Sequence, residues 1–434
     1  MDNLENDEKS VPVKEGENIK VGEKIPENAG KERKRSKLNA ILIFIVGFLA
    51  GNIALCILLI TGFLVVDKIT DHNLSTLLKA SGVLDEDVIT KEIIIENMIK
   101  TGYYEDVDDE ELKDGIFKGL LLGLGDPYSC YFTPEEIAEM NQEMSGNYEG
   151  IGAYLRQDTE TGYVVIESFI TGGSAEEAGI LPGDVIVAVD GEDVYGLSLN
   201  EVVSKVKGPE GTTVTITVEN ASGKNDLVVE RKKIDAPSVK VTDEGDGIYN
   251  ITITEFAQNT SQQFKEALEE VRSKGATSLI IDLRGNPGGV LDSVVETCSQ
   301  ILPAGDIVYT EDKYGKQVHY ESEGRTPLEL PLVVLVDGAS ASAAEIMAGA
   351  IKDYGIGTLV GTTTYGKGVV QSVIPLNDGS AVKITTSRYF TPNGINIHHT
   401  GITPDEEVTF DAKKYIDEQI DNQLEYAKEK LKNK

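Results

Sequence analysis

The sequence predicts a layered α/β domain preceded by a β-rich module, a helical region and one N-terminal transmembrane helix. Three observations predict this arrangement: an uncharged run over 38–66, short alternating strands over 144–236, and near-continuous apolar strands followed by helices over 238–410. Strands of the last kind are typical of a buried sheet that helices cover. A chain of 434 residues has room for about two or three domains, each with its own core.

The composition argues against some classes of function. The chain carries 73 acidic residues against 40 lysines and arginines, a formal net charge of -33. A nucleic-acid backbone needs neutralising cations, so we expect no nucleic-acid partner. The three cysteines, Cys56, Cys130 and Cys298, lie far apart and form neither a metal-ligand spacing nor a disulfide framework. We therefore expect neither a metal nor another cofactor.

The uncharged run 38–66 is long enough to cross a hydrocarbon layer of ~30 Å as a tilted helix. The basic cluster KERKRSK precedes it at 31–37, and Asp67 follows it. The positive-inside rule then places the N-terminal tail, residues 1–37, in the cytoplasm and the rest of the chain outside. The composition of this tail predicts disorder. The alternatives are a buried core helix and a cleaved signal peptide, whose apolar core spans only ~7–15 residues.

Helical spacing dominates the region 71–143. The segments TKEIIIENMIKTGYY and DDEELKDGIFKGLLLGLGD place apolar residues three and four apart, which is typical of amphipathic helices. Asp108 or Asp109 could cap the second helix, and the Gly-Asp-Pro sequence behind it ends it.

From 144 to 236 the pattern changes to short strands with two short helices between them. The predicted strands are YVVIESFI, DVIVAVDG, TVTITVEN and DLVVERKKI, and the predicted helices are SAEEAG and SLNEVVSKVKG. In 238–410, strands such as SLIIDL and LVVLVDG alternate with helices such as VLDSVVETCSQIL and SAAEIMAGAIKDYG, as in a layered α/β domain. The last segment, 411–434, predicts a charged amphipathic helix that docks or pairs.

Two chemistries compete for Lys367 in the loop GTTTYGKGVVQ at 361–371. A phosphate-binding loop needs a strand before it, a Ser or Thr after the lysine and a helix behind it. Gly368 occupies the Ser/Thr position, and VVQSVIPL alternates like a strand. The nucleotide-binding alternative therefore lacks two of its three requirements. This favours a lysine that acts as a base.

A serine nucleophile for such a base is available in LVVLVDGASASAAEIMAGAIKDYG at 332–355, which predicts a strand, a tight turn and a helix. The turn holds Ser340 and Ser342 among small residues. At a helix N-terminus, free amides and the positive end of the dipole can stabilise a developing oxyanion. The alternative is that the small residues only let the helix pack closely against the sheet.

Histidine is the usual partner of a catalytic serine, but none of the four histidines lies in a sequence that fits this role. A lysine can replace it where burial lowers its pKa toward neutrality. Lys367 has glycine and apolar neighbours and no carboxylate close in sequence. Gln371, four positions further along the predicted strand, points to the same face and could orient the amine.

A second glycine-rich turn, DLRGNPGG at 282–289, follows a predicted strand and precedes a predicted helix. Its spacing does not fit the dinucleotide pattern G-x-G-x-x-G. Exposed amides there could supply a second oxyanion donor. The alternative is an ordinary strand-to-helix turn.

Seven motifs in one order resemble those of the C-terminal processing peptidases, also called tail-specific proteases. They lie between about 85 and 410 and read GDPYSCYFTPEE, YEGIGAYL, SAEEAGILPGDVIVAVDG, LIIDLRGNPGG, DGASASAAEI, YGKGVVQ and YFTPNGINIHHTGITPD. No single motif is decisive, but seven in sequence are specific. The resemblance implies a layered, crotonase- or ClpP-like protease core with an inserted PDZ domain.

The resemblance also implies a role for each candidate site residue. Ser342 falls on the family's nucleophile, Lys367 on its base and Gln371 on an assisting glutamine. It implies an oxyanion hole formed by the amide of Ala343 and by one glycine of GNPGG, for which we take Gly288.

Three further positions take their meaning from the family pattern. Asp353 matches a recurrent acidic position, lies on the same helix face as Ser342, and is expected to support the site from behind or to be structural. Lys207 stands where the family often has an arginine before Gly-Pro. If that residue couples peptide binding to the protease site, lysine keeps the charge but loses the bidentate geometry. Ala344 replaces a serine that is not the nucleophile, so we expect little effect.

The module 144–236 resembles a PDZ domain. Its GIGA segment, formed by Gly150, Ile151, Gly152 and Ala153, stands where such domains bind a C-terminal carboxylate with successive backbone amides, beside an edge strand. The segment LPGDVIVAVDG follows at the spacing that such domains show.

The expected function is that of a serine endopeptidase held in the cell membrane by a single span, with its catalytic domain on the outer side. It would cleave proteins or peptides that it captures by apolar C-termini. Relatives often dimerise through flanking helices, so 71–143 and the last helix are candidate pairing surfaces. The alternatives are an inactive binding scaffold and a nucleotide-binding protein.

Overall fold

The computed structural model describes residues 81–433, apart from 160 and 171. The apolar run 38–66 and the tail before it lie outside the described residues. Among the residues that are described, no helix is long and apolar enough to cross a membrane. The described residues fall into two units, which divide between Val107 and Asp108. The described part of the first contains helix α1 (Glu86–Gly102), whose start is capped by the Asp85 side chain, which accepts from the Val88 N–H.

The second unit opens with two helices and a strand between them: α2 (Asp109–Leu122), which is the second helical segment named above, β1 (Cys130–Phe132) and α3 (Pro134–Ser145). Asp108 caps α2, as the sequence predicts, by accepting from the Glu110 N–H at 2.7 Å. The region was predicted to be helical throughout, and β1 is the exception. It pairs antiparallel with 381–383, and a pairing with so distant a segment cannot be predicted from the hydrophobic spacing around β1.

Every strand and helix predicted between 144 and 236 is present. The elements are β2 (Asn147–Gly150), β3 (Ala153–Gln157), β4 (Val164–Phe169), α4 (Ser174–Glu177), β5 (Val185–Val189), β6 (Glu192–Asp193), α5 (Leu199–Val206), β7 (Thr213–Asn220), β8 (Gly223–Glu230) and β9 (Lys232–Asp235). DLVVERKKI splits into β8 and β9 at the buried Arg231, whose guanidinium donates to the carbonyls of Lys205, Val206 and Thr213. β3, β4, β5, β7 and β8 form an antiparallel sheet around its own apolar core.

The remaining chain forms the predicted layered α/β domain. Its elements are β10 (Val239–Asp243), β11 (Ile248–Ile253), α6 (Thr260–Ser273), β12 (Ser278–Asp282), α7 (Leu291–Ser299), β13 (Gly305–Asp312), β14 (Gln317–Ser322), β15 (Leu332–Val336), α8 (Ala343–Tyr354), β16 (Thr358–Gly361), β17 (Val369–Pro375), β18 (Ala381–Phe390), β19 (Glu406–Glu407), α9 (Ala412–Glu418) and α10 (Asn422–Lys432). The six-stranded sheet runs β10-β11-β12-β15-β16-β19 and is parallel except for β10.

Helices cover both faces of this sheet. Every residue of β12 and β15 is buried, as near-continuous apolar strands predict. One face packs against apolar side chains of α6, α7 and α8, such as Phe264, Val294 and Met347. Ala427 and Leu431 of α10 pack against the other face. The carboxyl ends of β12 and β15 therefore open side by side into the loops that carry the candidate site residues.

A second, five-stranded antiparallel sheet was not predicted. It runs β1-β18-β13-β14, and β17 pairs with β18. The loop that contains Lys367 leads directly into β17. This sheet therefore forms the support for the candidate base.

The predicted C-terminal helix is interrupted. Gln419, with a left-handed φ of 56°, ends α9, and Asp421 caps α10. Arg284 joins α10 to the main sheet, because its guanidinium bonds Asp282, Asp421 at 2.8 Å and Gln423 at 2.9 Å. α10 thus docks on the main sheet. It also anchors the start of the glycine-rich loop 284–289.

Candidate active site

Ser342 lies on a sharp turn between β15 and α8. Its φ of 53° and ψ of -113° put a non-glycine residue in a sparsely populated region, at a cost of about 1–3 kcal/mol. A nucleophilic serine on a strained strand-to-helix turn is a recurrent device for presenting Oγ to a substrate. The Tyr389 hydroxyl donates to the Ser342 carbonyl at 3.1 Å, and the Ser342 N–H donates to Glu345 Oε2 at 2.9 Å. These contacts hold the strained backbone in place.

The glycine-rich loop 284–289 packs directly against this turn. The Ala341 N–H donates to the Asn286 carbonyl at 2.9 Å, and the Gly285 N–H donates to Asp337 Oδ1 at 3.0 Å. A Cβ added to Gly288, whose φ is 103°, would lie 2.8 Å from the Ser342 Cβ. Glycine is therefore required where the loop meets the candidate nucleophile.

The backbone amides next to Ser342 are of two kinds. The Gly288 N–H is occupied, because it donates to Asn286 Oδ1 at 2.8 Å. Within the described part of the chain, the N–H groups of Ala343 and Gly289 donate to no protein acceptor. Gly289 is exposed and held by Phe256, whose N–H donates to the Gly288 carbonyl at 2.8 Å. The two free amides have the character that an oxyanion hole requires.

Lys367 is brought to the serine turn by the loop 362–368. The Gly366 N–H donates to Glu345 Oε1 at 2.7 Å, and the Lys367 N–H donates to Glu345 Oε2 at 2.9 Å. The strand β17, not a helix, follows the lysine. A phosphate-binding loop needs a helix directly after its lysine, and the described chain has a strand there, which agrees with the sequence-based argument against nucleotide binding.

The Lys367 side chain is half-buried, and its ammonium lies 4.9 Å from the centroid of the Tyr128 ring. Burial, and then the positive charge of Lys383, lowers the pKa of Lys367, while Asp126 and Glu345 act in the opposite direction. No ion pair within the described residues holds the ammonium, and no hydrogen bond joins it to Ser342 Oγ. The lysine therefore has the environment of a base and rests against an aromatic face.

One cleft of about 490 Å³ contains the candidate nucleophile and base. Ser342, Lys367 and Gln371 line it together with Gly289. The rest of its wall is mainly apolar and includes Met140, Met144, Leu291, Ile346, Val370, Val373 and Tyr389. No histidine of the described chain is among its lining residues. The cleft can accept an extended chain with apolar side chains beside the serine.

A second groove of about 410 Å³ lies along the GIGA segment. Gly150, Ile151, Gly152 and Ala153 line it, and its apolar wall includes Ile170, Val203, Val206 and Ile234. Within the described residues, the N–H groups of Ile151 and Gly152 donate to no protein acceptor. Lys207 also lines the groove, with its ammonium 5.4 Å from the Tyr148 ring centroid. Free amides beside a cation suit a carboxylate.

Comparison with known proteins connects this geometry to a family. The model of peptidase family S41 matches 247–408, a PDZ domain model matches 165–220, and a model of the activating protease CtpB N-terminal domain matches 79–136. The carboxy-terminal processing protease CtpA of Bacillus subtilis (strain 168) is 38% identical over 308 residues, which are 70% of this chain and 66% of that protein. The chain belongs to the C-terminal processing peptidase family.

Two further similarities accompany this membership. A probable CtpA-like serine protease of Staphylococcus aureus (strain COL) is 37% identical over 328 residues, 74% of this chain and 65% of that protein. The chain thus spans slightly less than two thirds of the length of both curated relatives. The solved photosystem II D1 C-terminal processing protease is 31% identical, with 72% of this chain and 85% of that chain covered and a TM-score of 0.44.

Two further candidate residues, Gln371 and Asp353, make hydrogen bonds that the sequence does not specify. The β-bulge beside Gln371 lies in β18, where Thr386 is the extra residue opposite Val370 and Gln371, so the alternation of β17 is intact. The Gln371 amide nitrogen donates to Thr385 Oγ1 at 3.1 Å, although the side chain does line the cleft. Asp353 accepts from the Asn393 N–H at 2.9 Å, about 16 Å along α8 from Ser342. This contact with a loop fits the structural one of its two expected roles.

Sequence reasoning missed Glu345. Its side chain is fully buried and accepts four hydrogen bonds. Oε1 takes the Thr364 hydroxyl at 2.5 Å and the Gly366 N–H, and Oε2 takes the N–H groups of Ser342 and Lys367. One carboxylate thus joins the nucleophile turn to the lysine loop. The spacing S-x-x-E at the start of a helix is a known capping pattern and was the available signal.

Proposed function

We propose that this C-terminal processing peptidase is a membrane-anchored serine endopeptidase that captures protein substrates by their C-terminal tails and cleaves them with a Ser342–Lys367 dyad. One observation carries the proposal. A strained serine at the start of a helix shares a cleft with a half-buried lysine whose pKa burial lowers. Strain and a depressed lysine pKa are both costs that a purely structural turn would not need.

The proposed reaction uses only groups of this chain. Neutral Lys367 takes the Ser342 Oγ proton while the oxygen attacks the peptide carbonyl. The Ala343 N–H and the Gly289 N–H stabilise the oxyanion. We assign the second donor to Gly289 because the Gly288 N–H is already bonded to Asn286. The Lys367 ammonium then protonates the leaving amine, and the neutral lysine activates the water that hydrolyses the acyl-enzyme.

Lys367 must leave the Tyr128 ring to reach Ser342. An ammonium over an aromatic face gains about 0.5–1 kcal/mol, and this attraction ends when Lys367 loses its proton and becomes the base. Gln371 supports the displaced amine in this scheme. Its nitrogen is bonded to Thr385, so its carbonyl oxygen is the group that accepts from Lys367.

The second groove supplies substrate capture. The Ile151 and Gly152 amides bind the terminal carboxylate of the tail, and the apolar wall takes its last side chain.

The uncharged run 38–66 anchors the enzyme, with the basic cluster 31–37 on the cytoplasmic side and both grooves outside. Exposed apolar side chains on α1, such as Met98 at 67% exposure, and on α2, such as Leu120, provide surfaces for a homodimer. Light scattering of the full chain measures its mass and so tests whether the homodimer forms.

Tail-dependent cleavage tests the proposal. The full chain, purified in detergent micelles, is incubated with a loosely folded protein that ends in apolar residues, and with the same protein ending in two aspartates. We expect faster cleavage of the apolar-tailed form, with activity rising with pH as Lys367 loses its proton. Absence of cleavage of either form at every pH would favour the scaffold alternative.

Lys383 provides a test of the base through its pH dependence. Its positive charge favours the neutral form of Lys367, so Lys383→Gln should raise the pKa of Lys367. The rise of kcat/KM with pH should then move to higher pH by about half a pH unit, which corresponds to about 0.7 kcal/mol. The control is Lys240→Gln, which removes the same charge from β10. An unchanged profile in Lys383→Gln would contradict the assignment of Lys367 as the titrating base.

A further inference from the structure

Glu255 is a half-buried acid that the proposed mechanism leaves unused. It lines the second groove but belongs to the layered domain, in the segment that follows β11. Within the described residues, no lysine or arginine pairs with its carboxylate and no donor bonds to it. Because this half-buried carboxylate lines the groove, a cation that enters the groove can pair with it.

Other charged groups at the groove define what this ligand carries. Lys207 and Glu149 also line it. Burial raises the pKa of Glu255, and the nearby negative charge of Glu143 raises this pKa further. The Lys207 ammonium lies over the ring of Tyr148. Tyr148 belongs to β2, the strand that leads to the free amides of the GIGA segment. One positive charge and two free amides therefore suit a carboxylate. The unpaired Glu255 suits a cation.

We propose that Glu255 determines specificity by pairing with a lysine or arginine side chain a few residues upstream of the apolar C-terminus of a bound tail. The proposal rests on the proposed capture of C-termini. With the terminal carboxylate at the amides of Ile151 and Gly152, an extended tail advances about 3.3 Å per residue along the groove. The four residues before the last one span about 13 Å, and the binding experiment scans each of them for the residue that pairs with Glu255. The substrate class is a tail with one basic residue near an apolar end.

The position of Glu255 also brings the captured tail next to the catalytic loop. The following residue, Phe256, donates its N–H to the Gly288 carbonyl at 2.8 Å and accepts from the Val290 N–H at 2.7 Å. A basic residue paired with Glu255 is thus attached to the segment that holds Gly289. We expect the same tail preference in kcat/KM as in binding.

Binding to an uncleaving enzyme isolates the groove. The full chain with Ser342→Ala, in detergent micelles, is titrated with fluorescent peptides that end in apolar residues and carry one lysine or one glutamate at each of four upstream positions. We expect the lysine peptide to bind about tenfold more tightly than its glutamate twin at one or two positions. Glu255→Gln should abolish this preference, and Glu255→Lys should reverse it.

Matched controls separate Glu255 from general charge. Glu167→Gln removes a charge from an exposed position of β4 outside the groove, and Glu149→Gln removes the other lining acid. Both should keep the lysine preference. Equal binding of lysine and glutamate peptides, or a preference that survives Glu255→Gln, would overturn the proposal. C-terminal amidation tests capture independently: if it does not weaken binding, tail capture itself fails, and this inference fails with it.

Discussion

Ser342→Ala and Lys367→Ala are each expected to reduce kcat on an apolar-tailed protein by about 10⁴- to 10⁶-fold, with tail binding unchanged. This is the range for removal of a nucleophile or of the base that activates it, because the two act as a unit. For the same reason, the double variant should be no worse than either single one. Cleavage is followed on a gel, and tail binding is measured with the peptides described above.

Two further variants sharpen this prediction. Lys367→Arg keeps the positive charge, but a guanidinium does not lose its proton in a protein, so this variant should be as inactive as Lys367→Ala. Ser340→Ala removes the other serine of the turn, which donates to the Leu283 carbonyl at 2.8 Å and cannot attack a substrate. It should remain active with a lower melting temperature. An active Lys367→Arg, or an inactive but folded Ser340→Ala, would contradict the dyad.

Local sequence patterns predicted the strands and helices whose own residues carry the signal, such as strands that are buried along their whole length. β12 and β15 are buried on both faces, so their apolar runs indicate a covered sheet. The five-stranded sheet could not be predicted in this way. β1 is three residues long and pairs with 381–383, far along the chain, and a pairing of this kind has no local signature. The break between α9 and α10 depends on Gln419 adopting a left-handed conformation, which its residue type does not favour.

The features of the candidate site also divide into those that local sequence patterns predict and those that depend on the folded structure. A turn of small residues before a helix marks Ser342, and a lysine between glycines marks Lys367. The Gln371–Thr385 hydrogen bond depends on the pairing of β17 with β18, and the engagement of the Gly288 N–H by Asn286 depends on the conformation of the loop 284–289. The environment of Lys367 depends on segments that are distant along the chain, since Tyr128 lies just before β1 and Lys383 lies in β18. Residue types indicated the chemistry, and tertiary packing decides which atoms are free to perform it.

Glu345→Gln is expected to lower kcat by about 10²-fold or more, with a smaller change in KM. The wild-type carboxylate offers acceptors to two donors on each oxygen. An amide keeps one acceptor oxygen and turns an NH₂ group toward the other pair of donors. The lower-energy orientation points the NH₂ at Thr364, whose hydroxyl can accept, and leaves the Gly366 N–H opposed by a donor. Each orphaned donor costs about 1–3 kcal/mol, so the lysine loop should shift.

A shift of this loop should affect turnover more than binding, because a displacement of about 1 Å at a reacting group can cost about 10²-fold in rate. Glu345→Asp should fail as well, since its shorter side chain cannot reach both segments. Glu269→Gln, at an exposed position of α6, is the matched control and should behave like the parent. Tail binding and melting temperature are measured alongside kcat. A folded Glu345→Gln enzyme with kcat within threefold of the parent would contradict the role of this carboxylate. A folded variant that binds tails but does not cleave them would establish that Glu345, which lies outside the substrate cleft, acts by holding Ser342 and Lys367 in register.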